Sequence, residues 1–380
     1  MKNKNVLISG AGIAGLTLAY WLKKQGFTPT IIEKHPFLRK GGYKVDVRGA
    51  ALEVAKRMGI YPSLLDENVN IQRAQFITSD HKIFELDGDI LGFCSKEDLE
   101  INRFDLCQIL LKAVGEIEII FDDSITHFDE KVHFEKHKPR TFDLVIGADG
   151  AHSKVRRLAF GEDARFLMEN GVRFCVFPIP NLFGLNRSEI VYFNQGKFAA
   201  AYAVNHHSYA CLAFKPKKNP LFSDAKAVFE EHFKNLGWEI PRLIQEMKAN
   251  NDCYFGSTTQ TRMPFWSKGN IALVGDAAYS AQGIGTSFAM VGAYILAREL
   301  GRAGGDYAAA FSQYEKSMRK FVEKGQDISL ANHAMLAMSD SSWLIKCQLY
   351  IMKMVPGKFL RFFTAWGRWR MKRAANAIDI

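Results

Sequence analysis

The run Val6-Leu-Ile-Ser-Gly10-Ala-Gly12-Ile-Ala-Gly15, followed by a second apolar run that stops at Glu33, leaves few folds open to the chain. Residues 5–9 are apolar without alternation, as in a parallel strand buried on both faces. A helix is predicted from about Ala14 to Gln25, with Gly26 as its stop signal, and a second strand from Thr28 to Glu33. This is a β-α-β unit in which the three glycines have separate tasks: a tight turn, backbone access to a pyrophosphate, and close helix–strand packing. The helix N-terminus then offers N–H groups and a positive dipole end to phosphates. Glu33 lies 18 residues after Gly15, where a carboxylate accepts ribose hydroxyls and disfavours a 2′-phosphate. Three glycines alone are a weak signal; strand, glycines, helix, strand and terminal acid in order are a strong one, and they suit FAD or NAD over NADP.

About 240 residues later, Ile271-Ala-Leu-Val-Gly275-Asp276-Ala-Ala reads as a strand end that presents an acid to the same cofactor, which favours FAD over an NAD-only dehydrogenase. Between them, Phe142-Asp143-Leu-Val-Ile-Gly147-Ala-Asp149-Gly150 reads as another buried strand ending in a small-residue turn, with Ser153 and Arg156 opening a helix. The segment Arg39-Lys-Gly41-Gly42-Tyr-Lys-Val-Asp46-Val-Arg48-Gly49 is either a loop whose backbone approaches something flat or anionic, or a basic surface turn. Arg103 sits in the first turn of a predicted amphipathic helix, where a cation is unfavourable beside the dipole. It has either a phosphate or ribose partner, or an ion pair with Asp105 or Glu100.

Strands of a hairpin are predicted within 117–135. From Arg173 to Phe214 the pattern becomes β-rich, with breaks at Asn-Gln-Gly and Asn-His-His, and reads as an antiparallel sheet. His206 and His207 fall at such a turn and read as surface residues. A helix-rich stretch follows at about 224–250, then a helix from Gly285 to about Leu300 and one from Tyr307 to about Glu323. The expected fold is α/β: a Rossmann-like FAD-binding domain (1–170 and 255–325), an inserted antiparallel-sheet substrate domain (171–254), and C-terminal helices (326–380). The six cysteines are scattered without metal-ligand spacing, as in a reduced cytoplasmic protein. Glycines interrupt the N-terminal apolar stretch, so it reads as mature structure, not a signal peptide, and no apolar run spans a membrane.

The net charge is +10, and eight basic residues against one acid lie from Trp343 onward. The body is therefore nearly balanced, which argues against nucleic acid as a partner. The tail interleaves those cations with Phe359, Phe362, Phe363, Trp366 and Trp369. Two readings stay open for it: peripheral contact with an anionic membrane surface, or a pair of helices packed on the substrate domain.

The glycine fingerprint with Glu33, Arg103 at a helix start, DLVIGADGxxSxxR at 143–156 and GDA at 275–277 together resemble the class A FAD-dependent aromatic monooxygenases of the para-hydroxybenzoate hydroxylase type. The resemblance spans roughly residues 4–300. RKGGxxxDVRG and the VGAYILAxEL helix look most like the tetracycline-inactivating branch, the tetracycline destructases. The resemblance implies that Gly10, Gly12, Ala14 and Gly15 hold the FAD pyrophosphate, and that Glu33, Lys34 and Arg103 meet the adenosine half. It further implies that Asp149 and Gly150 support FAD and NAD(P)H use, that Asp276 meets the ribityl chain, that Gly283 and Gly285 admit backbone to the flavin ring, and that Arg48 lies near that ring. Apart from the resemblance, Arg173, Tyr192 and Tyr202 in the β-rich stretch are candidate substrate residues whose side of the sheet the sequence does not fix; no catalytic base and no metal ligand is assigned.

The implied reaction uses NADPH or NADH as a transient reductant and O2, with oxygen passing through a flavin C4a-hydroperoxide to an aromatic or polycyclic substrate. No second glycine fingerprint is present, in keeping with transient nicotinamide binding. A monomer is expected. One segment departs from the family pattern GDAxHxxxPxxGxGxN: Tyr279 replaces the His, the Pro is missing, and the loop to Gly285 is two or three residues shorter. A flavin dehydrogenase or reductase without oxygen transfer uses the same FAD motifs and stays open, and the shortened loop keeps open a non-catalytic flavin-bound redox sensor.

Overall fold

A computed structural model describes residues 3–39, 41–87, 97–204, 207–216, 224–335, 341–355 and 357–380. The N-terminal unit forms as its pattern dictates: β1 (Asn5–Ser9), α1 (Ile13–Lys24) and β2 (Thr28–Glu33), with four of the five β1 residues buried. β3 (Lys44–Val47), α2 (Ala50–Arg57) and α3 (Tyr61–Asp66) follow, then β4 (Arg73–Ile77) and β5 (Ile83–Asp87). β6 (Leu99–Asn102) pairs antiparallel with β3 and runs into α4 (Arg103–Val114), capped by the Asn102 side chain on Phe104 N–H. β7 (Glu118–Phe121), the ribbon β8 (Ile125–Phe128) and β9 (Val132–Phe134), β10 (Leu144–Gly147) and α5 (Lys154–Phe160) complete the first half.

The second sheet then begins with β11 (Leu167–Ile179), β12 (Ser188–Asn194), β13 (Lys197–Val204) and β14 (His207–Phe214). Helices α6 (Ala225–Phe233) and α7 (Ile240–Ala249) lead to β15 (Tyr254–Thr261), β16 (Ser267–Lys268) and β17 (Ile271–Leu273). Four helices close the chain: α8 (Gly285–Arg302), α9 (Tyr307–Met335), α10 (Ser342–Met354) and α11 (Gly357–Ala375).

The cofactor sheet has the order β16-β17-β10-β1-β2-β7, parallel except for β16. The three signature segments thus end on adjacent strands, β17, β10 and β1, at one edge of the sheet, where doubly wound folds bind ligands. The second sheet runs β15-β11-β14-β13-β12-β4-β5 and draws β4 and β5 from residues 73–87, outside the stretch whose pattern looked β-rich. Strand alternation gives it two faces. One buries Cys175, Phe177, Tyr192, Leu212 and Phe214 against α6 and α7; the other carries Phe174, Tyr202 and Tyr209 toward the cofactor domain.

Helix α9 runs twelve residues beyond its expected end at Glu323. Gly325 resembles a stop signal, but it lies inside the helix because a Cβ there would overlap the Phe288 ring of α8. The tail divides its contacts. Leu349 of α10 packs on the second sheet with Ala74, Phe76 and Phe84, whereas Met371, Ala374 and Ala375 of α11 are buried in the core of the cofactor domain. Trp366 and Trp369 remain exposed. Among the described residues no helix is long and apolar enough to cross a membrane, and Cys107, Cys175, Cys211, Cys253 and Cys347 are free thiols.

Candidate active site

A cleft of about 830 Å³ runs along the carboxyl edge of the cofactor sheet and is walled on its far side by β11 and β15. Its floor is the glycine turn. Gly10 has φ +108°, and a Cβ there would come 2.6 Å from the Ala148 carbonyl oxygen, so no other residue lets β1 and β10 approach this closely. Gly15 does not reach the cleft; a Cβ on it would overlap the Gly10 carbonyl, so its task is to seat α1 on the turn. Gly12 caps α1 without a side-chain bond, and no acid stands in the first turn, so the N–H groups of that turn and its positive dipole end face the cleft beside Gly12 and Ala14.

Two charged groups in the wall lack partners. The Arg103 guanidinium makes no hydrogen bond to any described residue and stands 3.6 Å from where a Gly12 Cβ would be. Among the described residues neither Asp105 nor Glu100 forms an ion pair with it, Glu100 being taken by Lys44 (3.2 Å), and its backbone N–H donates to Tyr43 O (3.1 Å). The Asp276 carboxylate likewise has no donor; burial pushes its pKa up to about 6, against the opposing pull of Arg103. An unpaired cation beside a helix N-terminus and an unpaired acid farther along the cleft fit the phosphates and the polyhydroxyl chain of FAD. Glu33, at the end of β2, accepts Ala11 N–H (2.8 Å) and His35 N–H (3.0 Å), and Lys34 borders the same end.

Asp149 lines the cleft but its carboxylate is already engaged, accepting from Ser153 Oγ (2.5 Å), Lys154 N–H (2.7 Å) and Val155 N–H (3.2 Å). Its work is to hold the start of α5, leaving the Gly150 turn to the ligand. Arg156, fully buried, donates to Ala277 O (3.0 Å) and to Asp163 (2.5 Å). It therefore ties the Asp149 turn to the Asp276 turn, a contact that explains why two motifs more than 100 residues apart occur together.

The departing loop has a clear structure. Tyr279 points away from the cleft: its hydroxyl bonds Tyr314 Oη (2.6 Å), which donates to Leu273 O (3.0 Å), and it fills a notch that a side chain at Gly292 would occupy. The short loop is pinned from behind. Ser280 Oγ accepts Thr261 N–H (2.7 Å), Gln326 Nε2 donates to Thr261 O (2.8 Å) and Ser280 O (3.2 Å), and Gln282 N–H donates to Ser329 Oγ (2.8 Å). Gly283 and Gly285 remain on the cleft wall.

Besides Gly15, four expected residues lie elsewhere. Arg48 is buried beneath the wall, pairing with Asp46 (2.5 Å) and Asp98 (3.6 Å), while its backbone N–H donates to Ser287 Oγ (3.1 Å). Tyr192 lies on the far face of the second sheet, stacked on Trp238 (5.4 Å), because residues of its parity along β12 turn toward α6 and α7. Arg173 pairs with Glu169 (3.3 Å). Tyr202 is on the cofactor-facing side but behind Lys44, whose ammonium sits 4.9 Å from its ring centre. The residues that do form the far wall include Tyr43, Phe174 and Tyr254, with ring centres 5.3–5.8 Å apart, and Arg39 stacked 4.5 Å above Tyr254. Only the Gly41–Gly42 loop hinted at Tyr43; the other two lie on strands 80 residues apart and become neighbours through β11–β15 pairing.

A doubly wound sheet with this floor, these two unpaired charges and a second sheet folded over them defines a flavin-dependent oxidoreductase of the FAD-binding class. Residues 3–327 match the FAD binding domain family, and the chain belongs to it. A flavin-dependent monooxygenase of Legionella longbeachae is 37% identical over 340 residues, which cover 86% of this chain and 87% of that protein. The crystal structure of tetracycline destructase Tet(55) matches with a TM-score of 0.84 at 34% identity, over 99% of this chain and 98% of that one. Tet(51) matches with the same score at 32% identity over the same shares. The protein is an FAD-dependent monooxygenase, and the reductase and sensor alternatives give way.

Proposed function

We propose that the chain hydroxylates a polycyclic aromatic or polyketide-like substrate of the tetracycline type, using O2 and NADPH or NADH as a transient reductant. The observation that carries this reading is the cleft itself, with cofactor-type donors on one wall and the aromatic trio Tyr43, Phe174 and Tyr254 on the other. The similarity to Tet(51) and Tet(55) supports it, since it extends over 99% of the chain, tail helices included.

When bound, FAD supplies the electron transfer and the oxygen chemistry. The chain supplies position and dryness. Arg103 and the α1 N-terminus would neutralise the phosphates, Asp276 would accept from the ribityl hydroxyls, and the backbone of Gly283–Gly285 would border the ring. The second sheet excludes water by covering the cleft with β11 and β15, and the pinned 279–285 loop keeps that end rigid. Domains would divide as the sheets do, with the cofactor domain bearing the reacting group and the second sheet selecting the substrate.

The test is a turnover experiment on flavin-loaded protein, reduced anaerobically by NADPH or NADH and then mixed with oxygen, with a tetracycline and a panel of simple phenols. A product heavier by one oxygen atom from the tetracycline is expected. Oxygen consumption that yields only hydrogen peroxide with the tetracycline, together with hydroxylation of a phenol, would overturn the substrate class.

A further inference from the structure

The β8–β9 ribbon buries Ile125, Val132 and Phe134 in the core of the cofactor domain and gathers three metal-type ligands on its exposed side. In the antiparallel register His127 stands opposite His133, which puts both rings on the same side. Asp129 lies just past the end of β8, in the bend that leads to β9, and its carboxylate reaches both rings from there. The result is a compact set: Asp129 Oδ2 is 2.8 Å from His133 Nε2 and 3.6 Å from His127 Nε2, and the three ligand atoms lie within 4.8 Å of one another. Two further bonds orient them. Asp129 Oδ1 accepts Lys131 N–H (2.8 Å), leaving Oδ2 to the imidazoles, and Thr126 Oγ1 meets His127 Nδ1 (3.4 Å), leaving Nε2 free for a ligand. Such outer contacts fix the tautomer and aim of a metal-binding imidazole.

We propose that His127, Asp129 and His133 form a surface site for a divalent transition metal ion of the zinc class, separate from the flavin cleft. Two imidazoles and one carboxylate suit zinc, copper or nickel and do not suit magnesium or calcium, which prefer all-oxygen shells. The two rings are stacked 3.9 Å apart at 17°. Binding requires them to fan so that both Nε2 atoms come to about 2.0 Å from one ion; His127 is 57% exposed, which leaves its ring open to solvent on the side away from His133. Three protein ligands leave one position for water.

The site matters for the cleft because of what the ribbon carries at its root. Ser124, Ile125 and Glu135 line the cleft, and Asp123 gathers the backbone N–H groups of Ser124, Glu135, Lys136 and His137 there. An ion clamping β8 to β9 on their outer face holds the register of the strands that end in this wall.

The experiment is a calorimetric titration of zinc chloride into flavin-loaded protein stripped of metal by a chelator, for the unaltered chain, the His127→Gln/His133→Gln double variant and Asp129→Asn. One equivalent bound in the unaltered chain, with at least about a tenfold weaker association in both variants, is expected. Flavin absorbance serves as the check that each variant is folded. Equal binding in all three proteins, or no zinc binding by the folded unaltered chain, would overturn the proposal.

Discussion

Asp276 shows how one buried group converts position into a measurable property. Its carboxyl titrates near 6 in the folded chain, above the ordinary 3.8, because burial disfavours the charged form and only Arg103 opposes it. The sign follows: the neutral acid suits the cofactor-free cleft, so its contribution to stability is full below 3.8 and is lost as pH rises through about 6. In the proposed binding mode, ribityl hydroxyls would donate to the carboxylate and favour its ionised form. FAD affinity of the apoprotein should therefore rise with pH up to about 6 and level off above it, and Asp276→Asn should flatten that slope; a fluorescence titration of FAD between pH 5 and 8 measures both. Tyr279 is the opposite case, a residue at a position of the family motif that faces the core. Tyr279→Phe should lower stability by about 1 kcal/mol, the worth of one buried hydrogen bond, and leave turnover and peroxide leakage within about twofold. A large loss of turnover in a stable Tyr279→Phe protein would show that its hydroxyl serves the reaction.

At the scale of elements, α1 and the glycine turn act as one part. Its order of strand, glycines, helix, strand and acid was legible from sequence because each step is local: apolar strands, a helix stop at Gly26, and an acid at a strand end. Gly15→Ala tests the packing half of that unit. The added methyl would overlap the Gly10 carbonyl, so α1 must lift from the turn. A loss of about 3 kcal/mol is expected, with a lowered melting temperature and a reduced flavin-to-protein ratio on purification. The start of α9 at Tyr307 was legible but its end was not: the helix passes its expected end at Glu323 and continues through Gly325, which is a close-packing residue beside Phe288. Nor were β4 and β5 legible, which are too short and too far from the β-rich stretch to announce which sheet they join.

In the whole molecule, a polar seam at the cleft joins the β3–β6 pair to the second sheet. Lys44 of β3 sits 3.2 Å from Glu100 of β6 and 3.2 Å from Glu189 of β12. Burial works to lower the Lys44 ammonium, but the two carboxylates outweigh it and hold it well above its ordinary value. Lys44→Met would leave two partly buried carboxylates facing each other without their cation, and should cost about 2–3 kcal/mol in a denaturant titration; adding Glu189→Gln should return part of that loss, as a coupled pair requires. The tail joins the same assembly: α10 rests on the second sheet and the last turns of α11 on the cofactor domain, so one segment braces both. The chain's order of residues by itself determined the cofactor class, the three motifs that line the cleft and the presence of an inserted β-rich lobe, since these depend on local periodicity and on glycines and acids at fixed spacing. Only the tertiary structure decided that Asp149 serves a helix start, that Tyr192 and Arg48 turn away from the cleft, and that Tyr43, Phe174 and Tyr254 make its far wall. Those outcomes depend on which face of a strand meets which neighbour, and strand pairing between distant segments sets that.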